Sequence, residues 1–86
     1  MFVKICGITN AADATAAVDA GADAVGMIFA PSRRHVTVDE ARSIAAEVPP
    51  GVLKVGVFRD HLVREVIETV AEVGLDAVQL RGRLTA

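Results

Sequence analysis

The pentad Gly21-Ala22-Asp23-Ala24-Val25 returns later in the chain as Gly74-Leu75-Asp76-Ala77-Val78. Both copies follow a stretch with helical spacing of apolar residues, and both lead into an apolar run. A glycine just past a helix ends it in a left-handed turn. The same helix-to-strand junction is therefore written twice. Strands that alternate with helices in this way imply parallel pairing through right-handed crossovers.

The rest of the chain fits that frame. Phe2–Cys6 is predicted as a strand ended by Gly7, and Thr9 or Asn10 offers an N-cap for a helix over Ala11–Ala20. A second strand covers Ala24–Phe29. The loop Ala30–Val36 carries Pro31, Ser32, Arg33, Arg34 and His35. Thr37 and Glu40 have the spacing of a capping box. The helix behind them, Val38–Val48, puts Ala41, Ile44, Ala45 and Val48 on one face, and Pro49-Pro50-Gly51 ends it. Leu53–Phe58 reads as a third strand, with Asp60 as the cap of a helix over His61–Val73. The apolar face of that helix is Leu62, Val63, Val66, Ile67, Val70 and Val73, and Ala77–Leu80 is the fourth strand. The expected fold is α/β: one domain over residues 1–86, with four parallel strands and three helices. It is either part of a βα barrel or a doubly wound sheet.

Composition narrows the function. Nine Lys and Arg against eleven Asp and Glu leave a net charge of −2, without the basic excess of a nucleic-acid binder. Aromatic residues are limited to three Phe, which leaves no stacking platform for bases. One cysteine rules out an internal disulfide and any multi-cysteine metal site, and makes a cytoplasmic setting the default expectation. Apolar runs are too short for a membrane span, and the N-terminus lacks the pattern of a signal peptide. There is no Gly-rich phosphate loop and no His/Glu metal motif, so neither cofactor nor metal is expected.

In parallel α/β sheets, ligands gather at the carboxyl ends of the strands. Four places qualify: Cys6-Gly7, the Pro31–His35 loop, Arg59-Asp60 and Arg81-Gly82. Lys4 shares a strand face with Cys6. A neighbouring ammonium favours the thiolate, the reactive form of cysteine, although a lone cysteine is more often a small core residue. Arg33 and Arg34 offer planar forks for a carboxylate or phosphate, against the plainer reading of a solvated loop. Gln79 and Arg81 share one face of the fourth strand, which implies a polar site or an open strand end. Lys54, inside an apolar strand, either faces the interior or snorkels to an end. His35 has no evident task, and His61 is expected to be exposed.

Lys4-Ile5-Cys6-Gly7-Ile8-Thr9, Ala20-Gly21-Ala22-Asp23-Ala24-Val25-Gly26, the Pro-Ser-Arg-Arg loop, Val55-Gly56-Val57-Phe58 and Asp76-Ala77-Val78-Gln79-Leu80 occur in that order. In these motifs the chain resembles the phosphoribosylanthranilate isomerase family of tryptophan biosynthesis, from about Val3 to Leu80. The resemblance implies a (βα)8 barrel that converts N-(5-phosphoribosyl)anthranilate to a 1-amino-1-deoxyribulose by an Amadori rearrangement, without cofactor or metal. It implies Cys6 as the general base at the sugar C2 and Arg34 as a substrate contact. Gly7, Gln79 and Arg81 are the accompanying substrate-binding candidates. The family's fourth strand ordinarily continues Gln-Leu-His-Gly, whereas this chain has Arg81 in place of the histidine. The family also places its general acid and its phosphate site on later strands.

A whole βα barrel needs about 200 residues or more. A four-strand portion is therefore expected to leave its barrel-facing side bare and two edges unpaired, and so to self-associate. It is expected to be inactive by itself. The alternative reading is a non-catalytic half-barrel whose property is assembly; a different phosphosugar barrel enzyme with a similar opening is the third.

Overall fold

The structure, a computed structural model, describes residues 1–82. Its elements are β1 (Lys4–Cys6), α1 (Ala11–Asp19), β2 (Ala24–Ile28), α2 (Val38–Ala45), β3 (Leu53–Arg59), α3 (Val63–Val73) and β4 (Ala77–Arg81). All pairs are parallel and each strand lies beside its sequence neighbour, in the order β1-β2-β3-β4. A doubly wound sheet needs a reversal of strand order, so that alternative is excluded.

Element ends differ from the sequence expectation for identifiable reasons. The Asn10 side chain, not Thr9, caps α1 by accepting from the Asp13 amide at 2.8 Å. The Thr37–Glu40 capping box forms as expected, and the Thr37 N–H holds the Glu40 carboxyl below its ordinary pKa. Regular helix in α2 stops at Ala45, before Val48, because the next amides tighten to i−3 acceptors (Glu47 N–H to Ile44 O, Val48 N–H to Ala45 O). Asp60 does not cap α3. It sits at φ 54° with its carboxylate 3.6 Å from Arg59 Nε. The N-cap is Leu62, whose amide donates to Glu65 Oε1; with no side-chain acceptor on leucine, only half of a capping box exists. His61 is half-buried, contrary to expectation. Its Nδ1 accepts from the Arg59 amide at 3.0 Å, and its ring stands edge-on to Phe58 with centroids 5.2 Å apart.

The three helices cover one face of the sheet. Val25, Met27 and Phe58 point into that layer with Ile44, Ala41, Ala14 and Val66, all nearly inaccessible to water. Phe29 stacks on Phe58 at 5.1 Å. Gly56 leaves space for this stack, since a Cβ there would stand 2.6 Å from Leu75 Cδ1 and 2.9 Å from the Phe58 ring. Ile67, predicted on the buried face of α3, is exposed.

The repeated pentads make the same contact twice. Asp23 donates its amide to Val3 O and accepts the Val3 amide on Oδ2 at 2.7 Å. Asp76 donates to Lys54 O and accepts the Lys54 amide on Oδ2 at 2.8 Å. Each aspartate thus fastens the start of its own strand to the start of the preceding one. Regular strand begins at Lys4 and not at Phe2. The Lys54 N–H, and secondarily the ammonium 3.4 Å from the carboxylate, hold the Asp76 pKa below its ordinary value. Lys54 therefore turns to the helix side, on the parity of Gly56 and Phe58, and not to the interior.

The opposite, concave face is formed by Lys4, Cys6, Ala24, Gly26, Ile28, Leu53, Val55, Val57, Arg59, Ala77, Gln79 and Arg81, following the pairing register and strand alternation. Its middle is apolar, as expected of a barrel-facing side: Val55 and Val57 are buried, Gly26, Leu53 and Ala77 flank Val55, and Leu53 is exposed. Lys4, Cys6, Gln79, Arg59 and Arg81 lie on the outer strands and at the carboxyl end. Further exposed apolar residues lie at the two sheet edges: Met1, Phe2 and Val3 beside β1, and Val78 and Leu80 on β4.

Candidate active site

The carboxyl ends of the strands bring several of the predicted residues together. Cys6 ends β1 on the concave face, exposed and unoxidised. Its position depends on Gly26, its register partner on β2: a Cβ on Gly26 would lie 2.9 Å from Cys6 Sγ and 3.3 Å from Cys6 Cα. Glycine inside a strand marks such a close approach. That was the signal in the sequence for a residue whose role sequence reasoning missed.

Gly7 bears on the site through Arg34. Its φ is +84°, and a Cβ there would meet Arg34 Cδ at 3.0 Å and Nη1 at 3.2 Å. Glycine lets the chain turn sharply after β1 and lets the arginine side chain lie over the turn. The Gly7 and Ile8 amides both donate to Gly26 O at 3.1 Å, so the turn is tied to β2 as well. The loop that carries Arg34 is folded on Ser32: the Arg34 amide donates to Ser32 Oγ, and His35 Nδ1 lies 2.9 Å from Ser32 O. His35 is thus a loop-building residue. Arg33 is exposed and lines neither of the cavities that Cys6 lines.

Cys6 stands between two cavities. One, of about 360 Å³, lies between β1 and α1 and is lined by Gly7, Ile8, Asp13, Ala17 and Arg34. The other, of about 200 Å³, lies on the concave side and is lined by Ile28, Ser32, Val57, Arg59 and Arg81. Arg59 and Arg81 are register partners on β3 and β4. Deeper in the concavity Lys4 Nζ donates to Gln79 Oε1, joining the two outer strands across the face. The site is therefore a thiol among cationic and amide groups: suited to an anionic substrate, and open on both sides of the thiol. Among the described residues, no group of three or more His, Cys, Asp or Glu is arranged to hold a metal ion. No described helix is long and apolar enough to cross a membrane.

A curved parallel sheet in the order of its sequence, helices on one side and polar groups at the strand ends on the other, defines a portion of a βα barrel. The family model for N-(5'-phosphoribosyl)anthranilate (PRA) isomerase matches residues 3–86, and the chain belongs to that family. It is 51% identical over 83 residues to N-(5'-phosphoribosyl)anthranilate isomerase of Listeria monocytogenes, covering 96% of this chain and 41% of the relative. The Desulforudis audaxviator enzyme of that name is 53% identical over 82 residues, covering 95% and 40%. Among solved structures, phosphoribosyl anthranilate isomerase from Thermotoga maritima superposes with a TM-score of 0.93 at 46% identity, covering 96% of this chain and 41% of that one. A phosphoribosyl anthranilate isomerase in complex with reduced 1-(o-carboxyphenylamino)-1-deoxyribulose 5-phosphate gives the same score and identity over 43% of its chain. This chain therefore spans about two fifths of the length of these relatives, and it is a partial barrel.

Proposed function

We propose that this chain supplies the amino-terminal part of the active site of a phosphoribosylanthranilate isomerase. The carrying observation is Cys6 at the end of β1, its Sγ seated over Gly26, with Arg34 laid across the adjoining Gly7 turn. In this reading the ring-opened substrate is a protonated imine between the anthranilate nitrogen and the sugar C1. Cys6 thiolate takes the proton from C2. The C–H electron pair becomes the C1=C2 bond, and the imine electrons return to nitrogen. The resulting enolamine gains a proton at C1 and loses the one on its C2 hydroxyl, giving the 2-ketone. No electron acceptor and no metal enters the balance.

The remaining assignments follow from charge and position. The Arg34 guanidinium is the fork for the anthranilate carboxylate. Gln79 and Arg81, on the concave face, contact the phosphorylated sugar, and Gly7 serves by giving Arg34 its place. Ring opening needs an acid, which the family carries on a later strand. Turnover is accordingly proposed for a barrel completed by further strands and not for residues 1–86 alone, and a cytoplasmic setting goes with it.

The test is a chimera in which residues 3–80 replace the matching segment of the Listeria monocytogenes relative. It is expected to isomerise the substrate, and Cys6→Ala in it is expected to lower kcat by about 10²- to 10⁴-fold, the usual contribution of a general base. A folded chimera in which Cys6→Ala keeps full activity would remove Cys6 from the mechanism.

A further inference from the structure

The concave cavity beside Cys6 has two kinds of wall. Ile28, Ala30, Pro31 and Val57 give it an apolar side, and Arg59 and Arg81 line it at the carboxyl end of the sheet. The two arginines are register partners on β3 and β4, and strand alternation puts both on the concave face. Neighbouring strands lie about 4.8 Å apart, so the two guanidinium side chains start side by side. Like charges directly opposite each other on paired strands are destabilising. In a chain whose other local choices agree with its fold, such a conflict marks a functional site.

A carboxylate is built in beside the pair. Asp60 follows Arg59 in a left-handed turn at φ 54°, and its amide donates to Arg81 O at 3.2 Å. The turn brings the Asp60 carboxylate to 3.6 Å from Arg59 Nε. It also lays the carboxylate over Gly82, where a Cβ would collide with Asp60 Oδ1. The glycine after Arg81 thus makes room for the carboxylate between the ends of β3 and β4. Two guanidiniums and one carboxylate leave one net positive charge at the cavity mouth. Lys4, the other cation of this face, is engaged by Gln79 Oε1 deeper in the concavity. All these contacts lie on the β3 side of β4, and the free edge of β4 does not enter.

We propose that Arg59 and Arg81 form an anion subsite on the concave side of Cys6, for a ligand group with one negative charge shared over its oxygens: a carboxylate or the monoanion of a phosphate ester. Arg59 is the further ligand contact, and Asp60 sets the charge that the subsite accepts. The thiol then has guanidinium groups on both of its sides, Arg34 in the cavity toward α1 and the Arg59–Arg81 pair in the concave one. The subsite rests on cavity and register alone, so it can fail while the isomerase reading stands, and the reverse.

Alkylation of Cys6, the single cysteine, reads the subsite in the 86-residue chain. Iodoacetate and iodoacetamide react by the same displacement of iodide by the thiolate, and only iodoacetate is charged. Their rate ratio cancels the thiolate fraction and reports the charge that the reagent meets. Arg59→Gln is expected to lower the ratio about threefold at low salt, the scale of one charge a few ångströms away in water. Asp60→Asn is expected to raise it. Arg33→Gln is expected to leave it unchanged, since Arg33 lines neither cavity. A ratio that holds in Arg59→Gln, falls in Asp60→Asn, or drops as far in Arg33→Gln overturns the subsite. Protection of the unaltered chain is the second measurement. Butyrate or inorganic phosphate, at constant ionic strength, should slow the iodoacetamide reaction, and Arg59→Gln should abolish that effect. Protection by butyrate alone assigns the subsite to a carboxylate, and by phosphate alone to a phosphate ester. Equal protection by neutral butyramide, or none by either anion, overturns it.

Discussion

The two faces of the sheet obey different rules. On the helix side, Val25, Met27, Ile44 and Phe58 are sealed from water, and each side chain is chosen by its neighbours' shapes. On the concave side, Lys4, Cys6, Arg59 and Arg81 are exposed above a floor of Ala24, Gly26, Val55 and Val57. Both faces use the same strands, so alternation alone assigns each residue to stability or to chemistry. Cys6 and Ile5, adjacent in sequence, fall on opposite sides of that division. Substitutions should therefore sort by parity along a strand and not by distance from the site.

The largest effect is expected at Phe58→Ala, where loss of a stacked, buried ring should cost about 3–5 kcal/mol in urea unfolding. A loss below 1 kcal/mol would mean that the helix layer does not hold the fold. Gly26→Ala comes next. Its Cβ would press on Cys6 from 2.9 Å, and overpacking of this kind costs about 1–3 kcal/mol. The same variant should change the rate at which a thiol reagent labels Cys6, and an unchanged rate would detach Gly26 from the site.

Asp76→Ala removes a charge-assisted bond to the Lys54 amide, for which about 1 kcal/mol is expected given the partial exposure of the carboxylate. Because the folded pKa of Asp76 is depressed, its contribution is present above the unfolded value near pH 4 and disappears as pH falls through the lower folded value. Acid unfolding curves of the wild type and Asp76→Ala should accordingly converge below that range; a gap that widens in acid would contradict the assignment. Smallest of all should be Cys6→Ala, within about 0.5 kcal/mol of wild type because the thiol is exposed. A larger loss would move Cys6 from the chemical face to the structural one.

The strand and helix order was legible because each element carries its own period and each junction its own glycine. Cys6, Arg34, Gln79 and Arg81 could be placed at or near strand ends for the same reason. What escaped was set by contacts distant in sequence. Asp60 has the side chain of a cap, but it lies in a left-handed turn beside Arg59 while Leu62 opens α3. His61 looked like a surface residue until the Arg59 amide and the Phe58 ring gave it partners. Gly7 reads as a strand stop and, by resemblance, a substrate-binding candidate, and Gly26 only as part of a motif; the neighbours that explain them, Arg34 and Cys6, come from other segments. The final residues, 83–86, lie outside the described structure.

Asp23 and Asp76 set a zero mark for the sheet. A parallel strand could slide by two residues and keep every side chain on its proper face, so alternation alone does not forbid the error. A carboxylate that grips one particular amide does. The mark for β1 lies at Val3, about 10 Å from Cys6 at 3.3 Å per residue. The thiol is thus gauged from the far end of its own strand, and Ile5 between the two can exchange with Val without moving it off Gly26.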